Sequence, residues 1–247
     1  MHLAVLADIH GNILALDAVL ADIDRRGVRN ILNLGDVVSG PLRPRDCLER
    51  ILARGIPTVR GNHDRWVAEG STGGSDAFAR DRLDPAQAAW LGALPPALEP
   101  AAGVLAFHAQ PGDDNAYLME EVVAGRLLPA SAEAVSARLG ATAATLLLCG
   151  HSHLAGLLRL PDGRVVLNPG SVGCPAYVDP TPPSPHVSEA GSPLARYAIA
   201  EIEGGRLLGC EMIALGYDHE GAATQAEAAG RPGWAHALRT GVMPRHA

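Results

Sequence analysis

The chain has 247 residues, 47% apolar and 19% charged, enough for one large globular domain with a real core or for two small ones. Its formal charge is −7, all 20 basic residues are arginine, and aromatics make up only 4%. That acidity argues against a non-specific nucleic-acid binder, which needs basic surface, but leaves a small anionic substrate open, because a local metal charge can outweigh the global field.

In chain order, Leu3 to Ala7 is an apolar run that stops at Asp8, and short runs bounded by turn residues predict buried strands. Ile13, Leu16, Val19, Leu20 and Ile23 then repeat at helical spacing, closed by Gly27. Ile31 to Leu34 predicts a second strand, and Asp46 is expected to cap a helix ended by Gly55. Pro57 to Val59 predicts a third strand. This βαβαβ order predicts a mainly parallel sheet with helices on both faces. Asp84-Pro85 predicts the start of a helix through Leu91. Val104 to Phe107, Thr145 to Cys149 and Val165 to Leu167 predict further strands, and Ser131 starts a helix ended by Gly140. Residues 174–193, rich in Pro, Ser and Gly, are expected to form a loop without a period. Ala195 to Ile202 and Leu207 to Ile213 predict a hairpin, Asp218 caps a helix through Ala229, and Pro232 to Leu238 forms a short last one.

No repeat or linker divides the chain, so a single domain over 1–247 is expected, with a core at 1–175 and a C-terminal hairpin and helices at 193–247. The N-terminal apolar run is too short for a signal segment, and no stretch approaches the roughly 20 apolar residues of a membrane span. Cys47, Cys149, Cys174 and Cys210 form no C-x-x-C pair, so a reduced, cytoplasmic compartment is expected.

The chemistry-bearing residues sit at the C-terminal ends of the predicted strands, which in an open α/β sheet line the ligand crevice. Residues i and i+2 of a strand point the same way, so Asp8 with His10, and His151 with His153, are expected to face one point. With Asp36, Asn62, His63, Asp64 and His108, the inventory is oxygen and imidazole without thiolate, which suits Mn, Fe, Zn, Ni or Co. These are too many donors for one ion. Two ions about 3.5–4 Å apart, bridged by a carboxylate, would use them and clamp the nucleophile and leaving group of a phosphoryl displacement.

The ordered blocks Asp8-Ile9-His10, Gly35-Asp36, Gly61-Asn62-His63-Asp64, His108 and Gly150-His151-Ser152-His153 resemble the calcineurin-like metallophosphoesterases. Asn168-Pro169-Gly170-Ser171-Val172-Gly173 resembles the compact bacterial and archaeal branch of that family. The resemblance implies a four-layer α-β-β-α sandwich. It implies a first metal on Asp8, His10 and His153, a second on Asn62, His108 and His151, and Asp36 bridging both. A metal-bridging hydroxide would be the nucleophile. His63 would stabilise the transition state or protonate the leaving oxygen, and Asp64 would orient His63 or its loop. Asn12, at the start of the first helix, is expected to help place a phosphate.

The implied activity is hydrolysis of phosphodiesters, with monoesters as further substrates, on a small phosphorylated molecule. The alternatives are a phosphomonoesterase or serine/threonine protein phosphatase, and a non-catalytic binding scaffold on the same fold. Retention of His63 and all seven presumed ligands disfavours the scaffold. The chain departs from the family pattern after His108, where Ala109-Gln110-Pro111 replaces Gly, and after Gly173, where Cys174-Pro175-Ala176-Tyr177 replaces Gln-Pro-Arg. His2, His186, His219, His236 and His246 match no block and are expected to be surface or packing residues.

Overall fold

Leu3, Val5 and Ala7 alternate with Ala4 and Leu6, and all five are buried, so the first strand must be covered on both faces. The structure, a computed structural model, describes residues 1–245; His246 lies outside them. The elements in order are β1 (His2–Leu6), α1 (Ile13–Arg25), β2 (Asn30–Asn33), α2 (Pro44–Ala53), α3 (Asn62–Ala68), α4 (Gly74–Arg80) and α5 (Pro85–Gly92). Next come β3 (Ala97–Ala101), β4 (Val104–Phe107), β5 (Glu120–Val123), β6 (Arg126–Pro129), α6 (Ala132–Leu139), β7 (Leu146–Leu148), β8 (Gly156–Arg159) and β9 (Val165–Asn168). The chain continues with β10 (Ala176–Asp179), β11 (His186–Glu189), β12 (Ala195–Glu203), β13 (Arg206–Leu215), α7 (His219–Ala228) and α8 (Pro232–Thr240).

A four-stranded sheet of order β13-β12-β1-β2 stacks on a five-stranded sheet of order β3-β4-β7-β9-β8. Leu3, Val5, Leu32 and Leu34 of the first meet Val104, Ala106, Leu146, Leu148 and Leu167 of the second in one core. Ala4 and Leu6 face the other way, onto Leu16, Val19 and Leu20 of α1 and Leu48 and Ile51 of α2. Phe107, Leu147 and Val166 on the far side of the second sheet meet Val135 and Leu139 of α6. The layers are therefore α-β-β-α, as the motif resemblance implies.

Several local expectations change. The first sheet is mixed: β1 pairs parallel with β2 but antiparallel with β12, and the second sheet occupies the face where helices were expected. The expected third strand reduces to a single parallel bridge between Asn33 and Thr58; Pro57 carries no N–H for a ladder. Arg43, not Asp46, is the N-cap of α2, because Pro44 takes the first helical position. Residues 174–193 are not a plain loop. They hold β10 and β11, which join a third sheet of order β10-β11-β6-β5. Their partner β6 lies far upstream, so no local pattern announces them. Asp84, Ser131 and Asp218 do cap their helices, each accepting from a backbone N–H. Among the described residues, no helix is long and apolar enough to cross a membrane.

One buried polar cluster ties α1 to the first sheet. The Tyr197 hydroxyl donates to Asp22 Oδ2, which also accepts from Arg26 Nε at 2.8 Å, while Arg25 Nη2 reaches Oδ1 at 2.6 Å. Burial pushes the Asp22 carboxyl up, but Tyr197 and the two guanidiniums outweigh it and hold it below its ordinary value. The stability this contributes is present above the unfolded carboxylate pKa of about 4 and is lost as pH falls through the lower folded value. Tyr197→Phe is expected to destabilise the chain by about 1–2 kcal/mol at pH 7. Urea denaturation should show that gap shrinking as pH falls below about 4. A gap of constant size would remove Asp22 from this account.

Candidate metal centre

The loops that leave the strands are bent in an unusual way. Asp8, His10, Asp36, His151 and His153 all have left-handed backbone conformations, with φ of 57°, 50°, 57°, 69° and 62°. Among the described residues, Ala124 is the only other non-glycine residue with positive φ. Each such residue costs on the order of 1 kcal/mol, and strain of this kind collects at functional sites. This also corrects the reason for convergence. Asp8 with His10, and His151 with His153, lie beyond β1 and β7, so strand pleating does not aim them; the left-handed residues turn their side chains inward.

The surrounding backbone holds these loops. Val172 and Gly173 donate to the carbonyls of Ala7 and Asp8 at 2.9 and 3.0 Å, and Ser171 Oγ donates to Asp8 O at 2.8 Å. A Cβ at Gly173 would lie 1.8 Å from Ile9 O, so only glycine permits this clamp. At Gly61 a Cβ would lie 2.1 Å from Asp36 Oδ1. The motif glycines thus set how closely the donor loops approach.

Carbonyl acceptors select one nitrogen of each imidazole. Nδ1 of His10, His108 and His153 donates to Ser39 O, Leu34 O and Cys174 O at 2.6, 2.7 and 2.7 Å. That leaves Nε2 of all three as the free donor atom. His151 is reversed: its Nε2 donates to Asn115 O at 3.0 Å, which leaves Nδ1.

These atoms converge on two buried triads, Asp8 with His10 and His153, and Asp8 with Asp36 and His108, each with ligand atoms within 4.8 Å of one another. Asp36 Oδ2 lies 3.4 Å from His108 Nε2 and 3.8 Å from His10 Nε2, so it reaches toward both groups. Asn62 Oδ1 is 3.0 Å from His108 Nε2, and the His151 and His108 ring centroids are 5.1 Å apart. Asp8 Oδ2 accepts the His151 N–H at 3.1 Å, but Asp8 Oδ1 is buried with no hydrogen-bond partner. His10 Nε2 and His153 Nε2 face each other at 3.1 Å, the separation of neighbouring ligands on one ion with bonds of about 2.1 Å. An orphaned carboxylate oxygen and two facing imidazole nitrogens are what a bound cation satisfies, so the residues fit metal binding.

Electrostatics follow the same geometry. Burial, followed by repulsion from His153, pushes His10 down to about 4. Burial, with His108 adding to it, pushes His151 down to about 3. Burial opposes protonation of His108 too, but the Asp36 charge beside it prevails and raises it to about 9.

His63 and Asp64 prove to have different partners. His63 Nδ1 donates to Asp76 Oδ1 at 2.7 Å, and Asp76 Oδ1 also accepts from Ser39 Oγ at 2.6 Å. Asp64 instead accepts from the backbone N–H groups of Asp36, Val37 and Gly61 at 2.7, 3.0 and 3.0 Å. Asp64 therefore fixes the loop that carries Asp36 and, through Gly61, the start of the helix that carries His63, without touching the His63 ring. Burial, then the Asp36 charge, raises its carboxyl to about 7. Asn12 is a correction as well. Its Oδ1 caps α1 at Ala15 N, and its Nδ2 donates to Gly173 O and the Tyr217 hydroxyl, so its side chain is spent inside the fold. Reading by motif missed Asp76, Asn115, Tyr117 and Tyr177, which lie outside every block. His186, expected to be a surface or packing residue, is buried and meets the Tyr117 hydroxyl at 2.7 Å.

The centre opens into a cavity of about 460 Å³ lined by His10, Asp36, Asn62, His63, His151 and His153 among others, within the usual range for small-molecule sites. A larger cavity of about 640 Å³ lies at the N-terminal ends of β1 and β2, away from these donors.

A metallophosphoesterase from Sphaerobacter thermophilus has a similar structure, with a TM-score of 0.74 and 26% identity over 98% of this chain and 99% of that one. A hypothetical protein from Pyrococcus horikoshii OT3 superposes with a TM-score of 0.72 at 18% identity, over 98% and 99% of the two chains. An uncharacterised protein of Methanocaldococcus jannaschii is 46% identical over 65 residues, which span 26% of this chain and 27% of that curated relative. The profile of the calcineurin-like phosphoesterase superfamily domain matches residues 1–185. With the motif blocks, the four-layer fold and this match, the chain belongs to the calcineurin-like phosphoesterase superfamily.

Proposed function

We propose that this protein is a two-metal phosphodiester hydrolase acting on a small substrate. The observation that carries the reading is a pair of adjoining buried donor triads, with Asp36 Oδ2 reaching toward both groups and Asp8 left with one oxygen unpartnered. Asp8, His10 and His153 would hold one cation, Asn62, His108 and His151 the other, and Asp36 would serve both. Bound there, the cations supply Lewis acidity that brings the pKa of water toward neutrality and offsets phosphoryl charge. The chain's own residues supply position. The carbonyls of Ser39, Leu34 and Cys174 fix three imidazoles, and Asp64 fixes the Asp36 loop. His63 lines the cavity with Nδ1 tied to Asp76, which leaves Nε2 to protonate a leaving oxygen or stabilise its charge. Among the described residues, no arginine lines the cavity. That favours a singly charged diester over a doubly charged monoester, for which guanidinium clamps are the usual partner.

The test strips the protein with a chelator and reloads it separately with Mn, Fe, Zn, Ni and Co. At least one reloaded form should hydrolyse bis(p-nitrophenyl) phosphate with kcat/KM at least about tenfold above p-nitrophenyl phosphate, and chelation should abolish it. No turnover of either ester by fully metallated protein would sink the reading; a preference for the monoester would sink its diester part.

Asp76 gives a narrower expectation. Asp76→Asn should lower kcat by about 10–100-fold, the usual size for a residue that orients a catalytic imidazole, with metal content unchanged. Elemental analysis beside steady-state kinetics checks this, and a kcat within twofold of the parent would deny Asp76 that role.

A further inference from the structure

Aromatic residues are scarce in this chain, yet they gather at one place. Two of its three tryptophans line the cavity beside the donor cluster. Trp66 of α3 lies 4.9 Å, ring centroid to ring centroid, from His63. Trp234 of α8 lies 6.1 Å from His10, and Tyr177 of β10 lies 4.7 Å from His153. Three elements distant in sequence thus bring three rings around one centre. All three residues are half-buried, whereas Trp90 packs against the helical core. The Tyr177 hydroxyl is held by the Tyr117 hydroxyl at 2.7 Å, so this ring is a fixed wall. Val178, Pro180 and Met243 extend the apolar lining, and among the described residues no arginine lines the cavity. Asp179 adds a second lining carboxylate to that of Asp36.

We propose that this cavity selects a phosphoester that carries one flat aromatic group and no second anionic group, an inference that rests on the phosphodiesterase reading for the placement of its phosphoryl end. Rigid aromatic side chains offer flat apolar faces at little entropic cost, and a planar ring stacks on them without needing a sequence of polar contacts. A second phosphate would find no guanidinium among the described lining residues, and the Asp179 carboxylate would repel it. A nucleobase and a simple aryl group share this chemistry.

The test uses the manganese-loaded full chain and four phosphonate monoesters, checked by phosphorus NMR to stay intact over each titration. They are monomethyl methylphosphonate, monomethyl phenylphosphonate, thymidine 5′-methylphosphonate, and the last compound with an added 3′-phosphate. Dissociation constants come from tryptophan fluorescence, and inhibition constants from competition with bis(p-nitrophenyl) phosphate. The planar esters should bind about tenfold more tightly than the methyl one, the size of one stacking contact, and the 3′-phosphate should remove at least that gain. Preference for the phenyl probe identifies an aryl ligand, and preference for thymidine a nucleobase. Trp234→Ala should bring the planar-to-methyl ratio within about twofold, and Trp234→Phe should restore most of it. Equal binding of planar and methyl probes overturns the proposal and leaves the hydrolase reading intact. Planar-selective binding without turnover of bis(p-nitrophenyl) phosphate supports the proposal and overturns the hydrolase reading instead.

Discussion

Asp36→Asn is expected to leave the fold in place and to remove nearly all turnover. The asparagine oxygen can still accept the His63 N–H that Asp36 Oδ1 accepts at 3.0 Å, so the start of α3 keeps its partner. The negative charge between His10 Nε2 and His108 Nε2 is lost. A residue that serves two ligand groups should cost more than an outer partner, so the loss is expected to exceed about 100-fold in kcat. Metal content measured by elemental analysis should fall below that of the parent, while circular dichroism stays unchanged. Full metal content with full activity would refute the assignment of Asp36 as the shared ligand.

His63→Ala should give a different pattern. His63 is tied to Asp76 and belongs to neither donor triad. Removing its imidazole is therefore expected to lower kcat by about 10²–10⁴-fold, the range for a positioned acid or base, and to spare the bound metals. The two variants together separate holding the cations from acting on the substrate. If His63→Ala emptied the centre, its role would be that of a ligand or a structural support.

Much of the donor set was legible before folding. Asp8, His10, Asp36, Asn62, His108, His151 and His153 are named by residue type and order, because oxygen and imidazole donors in such blocks suit few purposes. The helices capped by Asp84, Ser131 and Asp218 were legible too, because capping is a local interaction within a few residues. β10 and β11 were hidden because a strand's partner can lie anywhere in the chain. Asp64 was legible in part. It accepts from the Gly61 amide three residues away, at the start of the helix that carries His63, but the amides of Asp36 and Val37 reach it only through folding. Asn12 reads as a phosphate-placing group at a helix start, yet its amide is consumed by Gly173 and Tyr217, which only folding brings near.

The acidic, lysine-free sequence by itself determined that positive charge for an anionic substrate must come from arginine, from protonated histidine or from bound cations, and it supplied an ordered inventory of donors for cations. Tertiary structure decided the rest. It settled which imidazole nitrogen stays free, through carbonyls of distant residues such as Ser39 and Cys174. It left Asp8 with an unpartnered oxygen, put Asp76 behind His63, and gathered Trp66, Tyr177 and Trp234 around one cavity. Composition and spacing encode which groups exist. Left-handed turns and contacts between segments far apart in the chain decide where those groups point.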